Sequence, residues 1–89
     1  NGGELNSALN ISPNPSNDNF KITFTNTSKN NRELVVFDMG GREIFKSTIQ
    51  NSQREIIWQA GNCRSGIYNV VLFENGVRVD GVRAVLNRQ

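Results

Sequence analysis

Few side chains in this sequence could do chemistry, and their types and spacing decide which chemistry is open. Glu33, Asp38 and Glu43 lie close together in the chain. Two such carboxylates facing each other across a cleft could hydrolyse a glycosidic bond. A chain too short to hold a deep cleft makes that remote. A serine, threonine or cysteine nucleophile needs a base to take its proton. The sequence contains no histidine, so Cys63 and the hydroxyls have no imidazole to activate them. The lack of histidine, with only one cysteine, also removes the usual zinc ligand sets. No Asp-x-Asp-x-Asp loop is present for calcium. No catalytic group, cofactor or metal is therefore expected.

Recognition remains. The net charge is +2, from ten Lys and Arg against eight Asp and Glu, with the signs interspersed. Nucleic-acid binders cluster their basic residues beside stacking aromatics. Here the basic residues are scattered, so nucleic acid is not an expected partner. No apolar run approaches the length that spans a membrane as a helix. Residue 1 is Asn, and no basic start followed by an apolar run is present. The expectation is a piece of a longer polypeptide whose signal peptide lies upstream.

The elements that would carry these residues are short. At 89 residues the chain suits one domain with a thin core. Residues 1–10 begin polar and glycine-rich and read as a linker, with the domain at 11–89. Leu9 and Ile11 could form a first strand, ended by Pro13-Asn14-Pro15, which removes two ladder donors. Strands are expected at Phe20 to Asn26, Glu33 to Asp38, Arg42 to Ile49, Arg54 to Ala60, Ile67 to Glu74 and Val77 to Leu86. The last has a possible kink at Gly81. Thr27 to Arg32 reads as a polar loop. Asn75-Gly76 is a type I′ hairpin signal, since both central positions need positive φ.

That is about seven antiparallel strands and no helix, an all-β sandwich of two sheets in which each strand buries one face. Shared parity selects Phe20, Ile22, Phe24, Leu34, Val36, Ile44, Trp58, Tyr68, Val70 and Leu72 for the core. Trp58 and Tyr68 fit the core better than a ligand-stacking surface. Cys63 reads as a small buried hydrophobe. Asp38 suits an Asx-turn whose carboxylate accepts amides further along, Gly41 suits positive φ, and Arg42 suits a pair with Asp38.

Four local patterns occur in order: Ile11-Ser12-Pro13-Asn14-Pro15, the Asp38-x-x-Gly41-Arg42 hairpin, Ser65-Gly66-Ile67-Tyr68, and the terminal Arg83-Ala84-Val85-Leu86. Together they resemble the type A C-terminal sorting domains of the type IX secretion system of Bacteroidota, over about Ile11 to Arg88. Two departures stand out: Cys63-Arg64 where Leu-Pro is frequent, and Arg83 where Lys is frequent.

The resemblance implies an immunoglobulin-like sandwich. It implies export through the periplasm to the outer membrane, cell surface or extracellular space. The partners it implies are an outer-membrane translocon, a shuttle protein and a sortase-like protease, with the domain a monomer or weak dimer. It makes Pro13, Pro15, Gly66 and Tyr68 structural motif residues. The candidate recognition residues are Arg83, Val85, Leu86 and Arg88 near the chain end, with Asp38, Gly41 and Arg42 in the hairpin. Two other readings remain: a carbohydrate-binding or adhesive module, which would need coplanar exposed aromatics, and a spacer, which would need sequence beyond its last strand.

Overall fold

A computed structural model describes residues 9–24, 31–50 and 52–87. Among them are seven strands and no helix: β1 (Leu9–Ser12), β2 (Asn19–Phe24), β3 (Arg32–Phe37), β4 (Glu43–Ile49), β5 (Glu55–Gln59), β6 (Gly66–Glu74) and β7 (Val77–Leu86). Of the segment expected as a linker, residues 1–8 lie outside the described residues, while Leu9 and Asn10 belong to β1.

The strands form two antiparallel sheets, ordered β1-β2-β5 and β4-β3-β6-β7. This is the expected immunoglobulin-like sandwich, with β4 beside β3 in the larger sheet. Register does the sorting. Phe20 lies opposite Trp58 and Ile22 opposite Ile56 in one sheet, Leu34 opposite Leu72 and Val36 opposite Val70 in the other. Because side chains alternate faces, each in-phase pair turns the same way, and these pairs meet between the sheets. Trp58 spans the gap. It stacks on Phe20 at 5.3 Å and meets Tyr68 of the opposite sheet edge-on at 5.4 Å.

The β6–β7 hairpin turns as expected, with Asn75 at φ 54° and Gly76 at φ 81°. The Asn75 amide also donates to the Asn31 carbonyl at 2.7 Å, tying this turn to the start of β3.

Four expectations change. Ile44 was placed in the core, but it is 37% exposed. Arg32 faces Ile49, Leu34 faces Ser47 and Val36 faces Phe45, so the odd positions of β4 turn inward and Phe45 packs near Trp58, while Ile44 is the extra residue of a bulge between the Phe45 and Glu43 pairings. Arg32 was assigned to the polar loop, yet it opens β3 and is buried, its guanidinium 5.7 Å from the ring centre of Phe24. Residues 27–30 of that loop, and residues 25 and 26 of the strand expected before it, lie outside the described residues. Cys63 was expected to be buried; it is half-buried, packed against the core from a turn. The kink expected at Gly81 lies just before it: Gly81 pairs with Val71 in a continuous ladder, and the register shifts where Leu72 faces Asp80 and Phe73 faces Arg78.

The outer face of the larger sheet is less polar than single-faced burial predicts. Val35 and Val71 point outward and are 4% and 5% exposed, flanked by half-buried Phe37 and Phe73.

Removing buried volume should be costly in so thin a core. Phe24→Ala or Leu72→Ala should each destabilise by about 2–5 kcal/mol in denaturant unfolding. The β3–β4 register makes a sharper claim: Phe45→Ala should lower the unfolding midpoint more than Ile44→Ala, and the reverse order would contradict it.

Candidate functional site

The hairpin between β3 and β4 is built around one carboxylate. Oδ1 of Asp38 accepts the Gly40 and Arg42 amides, both at 2.9 Å. Oδ2 pairs with Nε of Arg42 at 3.3 Å. The backbone closes the turn: the Asp38 amide donates to the Arg42 carbonyl and the Gly41 amide to the Asp38 carbonyl, both at 3.0 Å. Gly41 sits at φ 85°, where a Cβ would be strained. These contacts favour the anion, and the Arg42 amide bond leads in holding the Asp38 carboxyl below its usual value. Asp38, Gly41 and Arg42 thus form a turn, with Arg42 held at the backbone and its guanidinium 84% exposed.

The start of β6 faces this turn. Gly66 takes φ 153°, and Tyr68 then buries its ring while its hydroxyl donates to the Arg64 carbonyl. That is the bond of a tyrosine corner, a buried ring whose hydroxyl returns to upstream backbone. Burial pushes the Tyr68 phenol above its usual range, and the negative charge of Asp38 adds to the effect. Between hairpin and strand start lies an open cleft of about 530 Å³, bordered by Asp38, Arg42, Arg64, Ser65 and Tyr68. Its guanidiniums suit an anionic or hydrogen-bonding partner. Glu33 and Asp38 lie near opposite ends of β3, Glu33 paired with Lys46 at 3.8 Å and Asp38 with Arg42.

The terminal strand reaches the same end of the sheet, since Gly66 lies opposite Leu86. The Pro-x-Pro segment docks there. Both prolines follow cis peptide bonds, and between them Asn14 aims its side-chain amide at the free edge of β7. Nδ2 donates to the Arg83 carbonyl at 2.8 Å, and Oδ1 accepts the Val85 amide at 2.9 Å. Ser16 continues the pairing. Its amide donates to the Val85 carbonyl at 2.9 Å, and its carbonyl accepts the Asn87 amide at 2.8 Å. The side-chain amide of Asn14 therefore does the work of one strand residue, and all four sequence patterns converge at one end of the larger sheet.

The candidate recognition residues do not share one fate. Arg83 and Arg42 are exposed, and Val85 is 37% exposed. Leu86 is 1% exposed and belongs to the core, so its proposed surface role is corrected: its side chain holds the strand end down. Arg88 lies outside the described residues. Sequence reasoning missed Asn14 and Ser16 as edge partners. The available signal was an Asn locked between two prolines, whose amide mimics a peptide group.

Comparison with known families gives one match. A family model described as the secretion system C-terminal sorting domain matches residues 10–80. That span includes Pro13-Asn14-Pro15, the Asp38 hairpin and Tyr68. No curated protein matches the chain.

Two outcomes test this geometry. Because the Asp38 carboxyl is lowered in the folded state, its charge stabilises above the ordinary value of 3.8, and that stability is lost as pH falls through the lowered value. Asp38→Asn should therefore unfold more easily than the parent at neutral pH, with the gap closing in acid. Asn14→Ala should speed hydrogen exchange at the Val85 amide, which loses its acceptor, while Val70 amide protection stays unchanged. Equal exchange at Val85 in both proteins would remove the edge role of Asn14.

Proposed function

This chain belongs to the type IX secretion C-terminal sorting domain family, and from that premise we propose that it works by being bound rather than by catalysing. The family's role is a sorting signal, which implies contact with the secretion machinery and export of a parent polypeptide across the outer membrane to the cell surface or beyond.

The finer steps are our reading. An outer-membrane translocon receives the domain and a shuttle protein carries it. A sortase-like protease then removes it and joins the parent to a lipopolysaccharide anchor. The observation that carries this reading is the convergence of four distant sequence patterns at one end of one sheet. A fold needs a turn, a tyrosine corner and a strand cap somewhere, but not in one place. Gathered together, they present exposed Arg42 and Arg83 on a rigid end that a partner can read as one shape. Recognition of this kind needs satisfied backbone and fixed side chains rather than a reactive group.

The test is export of a fusion. Residues 11–89 joined to the end of a soluble carrier should direct it to the surface of a host with the type IX system, measured by surface protease accessibility. Removing Val82 to Gln89 should abolish export, but it also removes part of β7. A second variant, Arg83→Gln with Arg88→Gln, keeps the strand and should leave stability within about 0.5 kcal/mol. A folded double variant that exports normally would show that shape, not these charges, is read. A parent fusion held in the periplasm would sink the sorting reading and favour an adhesive module.

A further inference from the structure

The outer face of β7 carries a feature that none of the motif contacts uses. Arg78 on one side of the register shift and Gly81 and Arg83 on the other point to the outer face, opposite Phe73, Val71 and Asn69. The order along the strand is cation, gap, cation. The missing side chain lets the Arg78 guanidinium lie over the glycine: a Cβ on Gly81 would be 2.7 Å from Nη2 of Arg78 and 3.5 Å from the Val70 carbonyl oxygen, so a partner side chain entering there displaces the flexible end of Arg78. A hollow of about 240 Å³ opens over Gly81 between the two arginines, floored by Val71. It borders a second hollow of about 330 Å³ that reaches Phe73.

Arg78 and Arg83 are exposed, and among the described residues neither lies within ion-pair distance of a carboxylate. Lys21, Arg42 and Lys46 all have one. The edge beside the hollow is also open. Asn14 and Ser16 cover β7 from Arg83 onward, but among the described residues no other strand bonds to that edge from Val77 to Val82. Within that stretch the Gly81 amide is held by Oδ1 of Asp80 at 2.8 Å, a neighbour rather than a strand.

We propose that the open half of the β7 edge receives an extended acidic segment of a polypeptide partner. Two of its carboxylates pair with Arg78 and Arg83, and one large apolar side chain between them fills the hollow over Gly81 and rests on Val71. Adjacent strands bring facing side chains to about 5 Å and diagonal ones to about 7–8 Å, within reach of arginine. A glycine at a sheet edge leaves a space that a large side chain on the next strand can cover. Charge spaced at the strand period beside open backbone fits an extended peptide. A lipid headgroup or free phosphate would use the charge alone. The inference deepens the sorting reading by giving the chemistry of one partner in the secretion machinery, and it rests on that reading for the partner's identity.

The experiment uses the 89-residue chain and a fluorescein-labelled hexapeptide, Thr-Glu-Thr-Phe-Thr-Glu. Control peptides replace both Glu by Lys, or Phe by Ala, and phosphatidylglycerol vesicles form a further arm. The acidic aromatic peptide should bind at least about tenfold tighter than either control, and Arg78→Gln or Arg83→Gln should each weaken it about tenfold. Gly81→Val should erase the preference for Phe over Ala, with the near-ultraviolet signal of Trp58 confirming the fold. Equal binding of all three peptides would overturn the proposal. So would vesicle binding that depends on Arg78 without peptide binding. The export fusion separates the two claims. If the parent is exported and Arg78→Gln is exported equally well, the docking inference fails and sorting stands. If the parent is not exported, sorting fails and the peptide result alone judges the edge.

Discussion

The contact between Trp58 and Tyr68 is the constraint on which the rest of the structure depends. The two sheets share no strand, so apart from the Asn14 and Ser16 bonds to β7 their relative position is set by side chains in the gap. Trp58 is the largest of these. It is stacked within its own sheet on Phe20 and meets Tyr68 edge-on across the gap. Such pairs contribute about 0.5–1.5 kcal/mol beyond the area they bury, and they fix direction, which aliphatic contacts do not. Tyr68 passes that constraint on. Its hydroxyl is tied to Arg64 before the strand, so the ring sets where β6 begins. β6 lies between β3 and β7 and carries the register of both. The Asp38 hairpin and the end of β7 are placed by those two ladders. Surface geometry at that end is thus a consequence of ring packing inside.

The same logic explains why the recognition end is rigid although it is made of turns. Each turn closes on its own polar partners: Asp38 for the hairpin amides, Arg64 for Tyr68, Asn14 and Ser16 for the outer edge of β7. Backbone groups satisfied in this way need no water and have one arrangement. Arg42 pairs with a carboxylate whose anion is held by backbone amides, so its guanidinium starts from a fixed base even though most of it is in solvent.

Much of the fold could be read from the chain because its signals are local. Alternation located the strands, and Asp38-x-x-Gly41 and Asn75-Gly76 specified their turns through the φ angles those residues tolerate. What escaped is non-local. The pairing of β4 with β3 turns Phe45 rather than Ile44 inward, and neither residue announces it, since both are apolar. Arg32 looks like a loop cation, but its guanidinium lies over the aromatic face of Phe24 in the neighbouring sheet, a contact with no local trace. Leu86 looked like an exposed chain end, but parity with Ala84 puts it in the core. Asn14 reads as a bend residue; its bonds to Arg83 and Val85 span most of the sequence and have no local trace.

The edges show how the domain can be both recognisable and soluble. A ten-residue edge strand with exposed Val77 and Val79 invites pairing with any extended chain. Closing it entirely would remove that hazard and also its use in recognition. The chain closes half. From Arg83 to Asn87 its own Pro-framed segment occupies the edge in one register. From Val77 to Val82 no other strand among the described residues bonds to the edge, and Arg78 and Arg83 are set on either side of Gly81 and its shallow hollow. Like charges oppose the approach of a second β7, because antiparallel copies would bring arginines toward arginines. An acidic strand meets no such barrier. Selection at this edge therefore needs no deep pocket: the closed half sets where a partner strand must stop, and the charges with the shallow hollow between them set which strand can stay.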